Sequence, residues 1–138
     1  MTLYFEDFPT GMELELGGWT PSAEEIAIFA RAWDPRPEGL GGAAASGWLG
    51  VCKLGGLFVD VVAANAASMG GGGFEDIRFP APLRAGVPLR AVMNVLEASP
   101  SKTRPERGTM YWEGSFRDAD GLVVLSLRAR AFFRRRGY

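Results

Sequence analysis

The sequence predicts an α+β fold in which an antiparallel sheet wraps one long central helix. Three observations carry this. A capped amphipathic helix opens at Ser22, and a nearly all-apolar stretch of helical length follows at GWLGVCKLGGLFVDVVAANAAS. From Phe74 onward the hydrophobic period changes from helical to two-residue. At 138 residues the chain has the length of one domain, 1–138, with enough sequence for a single core. Its 47% hydrophobic and 22% charged residues fit a globular protein rather than a disordered or fibrous one.

Taken in order, a short strand is expected around 12–17. In SAEEIAIFARAW, Ser22 and Glu25 form a capping box, and Ile26, Phe29, Ala30 and Trp33 follow at helical spacing. That helix, 22–33, should end before Asp34-Pro35, because proline disfavours helical backbone in the residue before it. After a Gly/Ala-rich loop, the stretch 47–68 holds only two charges, Lys53 and Asp60, which lie on one helical face. A helix apolar over most of its circumference has to be covered by other structure, so it reads as central and buried, with Cys52 a packing residue. Lys53 and Asp60 are free to pair, to reach solvent at a subunit boundary, or to line a tunnel.

The four glycines 70–73 read as a flexible joint between helix and sheet. Strands are expected at 74–80 and 88–98. In TMYWEGSFR, Met110, Trp112, Gly114 and Phe116 alternate with polar neighbours, and LVVLSLRARAFF repeats the pattern with Leu125, Leu127, Ala129, Ala131 and Phe133. Asp118-Ala119-Asp120-Gly121 between them supplies a hairpin turn.

Composition excludes several chemistries. The chain has one cysteine and no histidine, so it has no internal disulfide, no imidazole base and too few ligands for a typical zinc site. No metal is expected. Acid or base work falls to carboxylate, tyrosine, lysine or Cys52. The opening MTLYFEDFPTGMELEL lacks a basic n-region, and no uninterrupted apolar run reaches about 18 residues, so a cytoplasmic protein with no membrane span is expected. Charge is uneven: residues 1–50 hold eight acids and two bases, residues 101–138 nine bases and four acids. That asymmetry suits either an anionic ligand or mutual attraction of the two ends of the domain. Arg134-Arg135-Arg136 lacks interleaved aromatics and reads as a solvated tail, not a nucleic-acid contact.

The order of several pieces resembles a known family, the MaoC-like acyl-CoA dehydratases and R-specific enoyl-CoA hydratases. YFEDFPTGMELELG is similar to that family's opening, EEIAIFARAWDPRP to its first helix and catalytic loop, and ASGW to the start of its central helix. FEDIRFPAPLRAG and VLEASPSKTRPERG are similar to its later strands and loop. The resemblance implies a single hotdog fold. It also implies an acyl-CoA thioester as substrate, with coenzyme A entering as part of that substrate and no separate cofactor. A homodimer or higher homo-oligomer, joined edge to edge, is implied as well.

In the family's active members an Asp-x-Asn-Pro-x-His motif after the first helix supplies an Asp and a His to one water. The corresponding run here is Asp34-Pro35-Arg36-Pro37-Glu38-Gly39, with glycine at the histidine position. Addition of water to a 2-enoyl thioester needs water activation, a proton for C2, and stabilisation of charge on the thioester oxygen. Asp34 is the matching carboxylate, and Glu38 is the nearby residue able to replace the missing partner. Ser46, Gly47 and Trp48 open the central helix, where unpaired backbone N–H groups and the helix dipole favour developing negative charge. Lys102, Arg104 and Arg107, between two strands, form a candidate clamp for coenzyme A phosphates. The nominal reaction is hydration or dehydration. One alternative is a catalytically degenerate subunit paired with an intact homologue that supplies the imidazole. Another is a thioesterase in which Asp34 or Glu38 activates water or attacks directly.

Overall fold

A computed structural model describes residues 1–34 and 44–138. Seven strands and two α-helices occur among them: β1 (Glu13–Trp19), α1 (Ala23–Trp33), β2 (Ala44–Ala45), α2 (Gly47–Val61), β3 (Ser68–Arg78), β4 (Leu83–Arg84), β5 (Leu89–Pro100), β6 (Arg107–Arg117) and β7 (Val123–Arg134). Five of the strands form one antiparallel sheet in the order β1-β5-β6-β7-β3, while β2 pairs separately with β4. One face of the large sheet curls over α2. This is the hotdog architecture.

Two-residue periodicity decides which side chains meet the helix. On β6, Met110, Trp112 and Phe116 face inward, and on β7 Leu125, Leu127, Ala129, Ala131 and Phe133 do, all buried as the alternation predicts. From α2, Val51, Leu54 and Phe58 enter the same core. Phe58 stacks on Trp112 with ring centroids 4.3 Å apart and planes 7° from parallel. A Cβ on Gly114 would lie 2.6 Å from Trp112 Cζ3 and 3.2 Å from Leu54 Cδ2, so the absence of a side chain there lets the helix settle onto the sheet. The buried Trp112 indole N–H has no hydrogen-bond partner among the described residues, a cost of about 1–3 kcal/mol that the packing has to offset.

The expected long helix is shorter than 47–68. Asn65 Nδ2 donates to the Asp60 and Val61 carbonyls at 3.0 Å each, satisfying acceptors at the helix end. A 3-10 turn, Ala63–Asn65, follows, and Ala66 is already extended. The glycine run is no joint: residues 70–73 lie inside β3, an outer strand of the sheet. Gly70 and Gly73 take positive φ, and the pairing with β7 shifts register around them. A side chain at Gly72 would press on the Phe132 ring and on Arg130 Cβ.

Coverage of α2 is one-sided. Leu49, Val51, Leu54 and Phe58 are buried, but Trp48, Cys52 and Val59 are exposed, because a single curved sheet covers only one flank of a helix. Cys52 is therefore not the buried packing residue expected. The segment Gly47–Asn65 is long and apolar enough to cross a membrane by length and composition alone, yet its inner flank is the core of this domain.

Charged contacts hold the periphery. Ser22 caps α1 with the expected box, and Glu25 also reaches Lys53 Nζ on α2 at 3.0 Å and Trp19 Nε1 at 3.2 Å. Lys53 thus pairs with Glu25 rather than Asp60. Arg136 meets Asp7 at 2.7 Å and Arg135 meets Glu6 at 3.5 Å, so the basic C-terminus is tied to the acidic N-terminal turn and is not a solvated tail. Mutual attraction of the two ends, one of the two readings of the charge asymmetry, is present in these pairs.

Gly114→Ala should destabilise the fold by about 1–3 kcal/mol through overpacking at Trp112 and Leu54; an unchanged urea midpoint would refute the close approach. Burial would raise the Glu25 pKa, but the Ser22 N–H, Lys53 and the Trp19 indole outweigh it and hold it below the ordinary 4.5. A carboxylate depressed in the folded state contributes stability above its unfolded pKa, and that contribution is lost as pH falls through the lower folded value. Glu25→Gln should therefore be less stable than wild type at pH 7, with the gap closing below about pH 4.5 in chemical denaturation; a gap constant with pH would contradict this.

Candidate functional site

The chain enters α2 through Ala45 and Ser46. Ser46 is the N-cap: its Oγ accepts from the Trp48 N–H at 3.3 Å, and its carbonyl accepts from the Leu49 N–H at 3.1 Å. The Gly47 N–H has no acceptor among the described residues. A side chain at Gly47 would overlap the Phe79 ring, so glycine lets an aromatic lie directly on the head of the helix. Trp48 and Phe79 meet edge to face, centroids 6.3 Å apart at 70°, and both are exposed.

Beside this pair opens a cleft of about 500 Å³, walled by Ser46, Gly47, Trp48, Phe79 and the Pro80–Pro82 segment. Its floor is formed where Gly50 meets Leu83 and Leu125, a Cβ on Gly50 falling 3.1 Å from Leu125 Cδ2. Phe79-Pro80-Ala81-Pro82 leaves β3 and cannot continue a ladder, since proline has no N–H to give. β4 then pairs with β2, Ala45 opposite Leu83 and Ala44 opposite Arg84, fastening this wall to the entrance of the helix. The result is an apolar slot bounded at one end by the positive pole of a 15-residue helix. The chemistry of such a site suits an uncharged, apolar body with partial negative charge at its polar end.

The predicted residues separate into three groups. Ser46, Gly47 and Trp48 line the cleft together. Asp34 caps the C-terminus of α1, half-buried, with its N–H bonded to the Ala30 carbonyl at 3.0 Å, and it is not among the residues lining the cleft. Glu38 and Gly39 lie outside the described residues.

Lys102, Arg104 and Arg107 sit elsewhere. Their loop packs on the C-terminal segment, with the Arg135 N–H bonded to the Glu106 carbonyl at 2.8 Å. The cleft touches β7 at Val124 and Leu125, and this loop meets the other end of that strand, about 30 Å away at the rise of a β-strand. Arg104 is engaged by Glu106 at 2.9 Å and Arg107 lies 4.3 Å over the Phe132 ring. Within one chain the expected clamp and the cleft are not brought together.

The sequence reading missed the Phe79–Leu83 wall and the Val124–Leu125 floor, though it marked Gly50 as a point where the sheet could approach the helix closely. The Pro-x-Pro after Phe79 was the available signal, because it marks chain that must leave the sheet. A smaller cavity of about 220 Å³ lies on the opposite face of the sheet, among Asp76, Arg78, Glu113 and Arg128. Its charges satisfy one another: hydrogen bonding from Arg78 lowers the Asp76 pKa, and hydrogen bonding to Glu113 raises that of Arg128.

Comparison with known proteins agrees with the hotdog fold. No protein-family model matches the sequence, and no curated protein matches it. Among solved structures, a MaoC-like dehydratase from Rhodospirillum rubrum is 29% identical with a TM-score of 0.85, 99% of each chain being covered. The R-hydratase PhaJ1 from Pseudomonas aeruginosa is 16% identical with a TM-score of 0.71, over 97% of this chain and 87% of that one. The HadBC (3R-hydroxyacyl-ACP dehydratase) complex from Mycobacterium tuberculosis is 15% identical with a TM-score of 0.69, over 89% and 96%.

Gly47→Ala should cost less stability than Gly114→Ala, since the exposed Phe79 ring can swing away whereas Trp112 is locked in its stack. Parallel urea titrations test the order, and a larger loss at Gly47 would show that Phe79 is fixed.

Proposed function

Because the chain has the hotdog fold of the MaoC-like dehydratases and R-hydratases, we propose that it binds acyl thioesters of the acyl-CoA type, with 2-enoyl hydration and its reverse as its ancestral reaction. One observation carries the reading: an apolar cleft opens on the head of the central helix, at Ser46, Gly47 and Trp48. In that pose the acyl group lies against Leu83 and Leu125, and the thioester oxygen faces the Gly47 N–H.

Water activation is the weak link. The chain contains no histidine to act beside Asp34, and loss of a general acid-base group costs about 10²–10⁴-fold in rate. The HadBC structure carries its dehydratase name as a complex, which favours a second reading: this chain as the binding member of a pair whose partner supplies the imidazole. A homodimer uses the same surface. The edge of β3, unpaired among the described residues, exposed Phe74, and Trp48 and Val59 on the uncovered flank of α2 offer a second hotdog unit both backbone and apolar contacts. On either reading the protein works in the cytoplasm.

A short saturated acyl-CoA should raise the melting temperature of the wild-type protein, the rise continuing with the logarithm of ligand concentration above Kd, and Leu83→Trp, which fills the cleft, should abolish the effect. Equal stabilisation of both proteins would place the ligand elsewhere and overturn the reading. A short 2-enoyl-CoA then sorts the chemistry: loss of enoyl absorbance marks a self-sufficient hydratase, release of free thiol a thioesterase, and neither, with stabilisation retained, a binding subunit.

A further inference from the structure

β3 falls out of step with β7 three times. From Ser68 to Gly71, from Gly71 to Gly73 and from Glu75 to Arg78 it uses one residue more than β7 does opposite. Gly70 and Gly73 take positive φ at the first two slips. At the third stands Asp76, with a φ of 53°, the one non-glycine residue in the left-handed region among those described.

This third slip reverses which side chains face the helix. Phe74 points toward α2, where a Cβ on Gly55 would lie 3.9 Å from its Cζ. Glu75 and Asp76 then both stand on the outer face: Glu75 meets Arg130 at 3.0 Å, while Asp76 accepts from Arg78 Nε at 2.8 Å and lies 3.9 Å from Arg128 Nε. After that doubled outward step Ile77 packs against the core, Arg78 faces out again, and Phe79 lies on Gly47 at the head of α2. Unbroken alternation from Phe74 would instead send Asp76 and Arg78 inward and turn Phe79 away from the helix. The cleft wall therefore depends on a residue on the opposite face of the sheet.

We propose that Asp76 is a positioning residue for the cleft: by holding one extra residue in left-handed backbone, it delivers the Phe79 ring to the ligand. The inference rests on the acyl-thioester reading above and adds to it the element that shapes the apolar wall. Aspartate tolerates this backbone because its short side chain is hydrogen-bonded locally, here by the guanidinium two residues on, whereas a β-branched residue resists it. What the cleft needs from position 76 is the backbone turn, and the carboxylate secures it.

The test uses full-length protein and butanoyl-CoA, a saturated thioester that cannot be hydrated, with affinities measured by calorimetry. Asp76→Gly, free to keep positive φ, should bind as wild type does. Asp76→Val should bind about tenfold more weakly, as should Phe79→Ala, which removes the ring outright. Because both act through one ring, the double variant carrying these two changes should bind no more weakly than Phe79→Ala alone. Should Asp76→Val not fold, Asp76→Ala takes its place in each comparison. The Gly47 amide, shifted in NMR spectra by the ring current of Phe79, gives a reading without ligand. Wild type and Asp76→Gly should share its position, and Asp76→Val should move it to that of Phe79→Ala. Wild-type affinity in Asp76→Val, equal losses in Asp76→Gly and Asp76→Val, or losses that add in the double variant would each overturn the inference while leaving the acyl-thioester reading standing. Failure of the wild-type protein to bind butanoyl-CoA would remove that reading, and the Gly47 amide would then decide the placement of Phe79 alone: tracking Asp76 supports it, indifference to Asp76 overturns it.

Discussion

The structure depends on how closely α2 can approach the sheet. Phe58 stacks on Trp112 at 4.3 Å and Leu54 sits over the bare Cα of Gly114, fixing the height and rotation of the helix above β6. Everything at the head of the helix inherits that placement. With the axis fixed, Gly50 falls opposite Leu83 and Leu125, Gly47 falls beneath Phe79, and the first turn faces a slot instead of a packed core. Two glycines of α2 and one of β6 do comparable work, each removing a side chain where an aromatic or leucine from another element must come close.

Much of this was legible in the sequence. Strict alternation in β6 and β7 names the buried residues almost one for one, because a strand has only two faces and the sheet one core. Ser22 and Glu25 announce the start of α1, since the capping box is a local interaction that needs nothing distant. What failed was tertiary. A string of glycines reads as flexible chain, but next to β7 it becomes a strand whose missing side chains make room for Phe132 and Arg130. An apolar helix reads as buried all round, yet nothing in its own sequence says how many flanks a curved sheet will cover.

The candidate site divides in the same way. Ser46, Gly47 and Trp48 were readable because N-caps and helix starts are written locally. Phe79–Leu83 and Val124–Leu125 were not, because they join the site only through the β2–β4 pairing and the order of strands in the sheet. The basic residues show the same dependence on tertiary placement. Lys102, Arg104 and Arg107 cluster in sequence, but Glu106 and Phe132 engage two of them and the length of a strand separates all three from the cleft.

Cys52 stands one helical turn beyond Trp48, on the uncovered flank of α2, and it is the sole thiol in the chain. The molecule thus carries a ready-made attachment point for a single fluorophore or spin label without any engineering. Placed one helical turn from Trp48 at the rim of the slot and on the flank a second subunit would cover, one such label would sense both events, and quenching against accessibility would tell them apart.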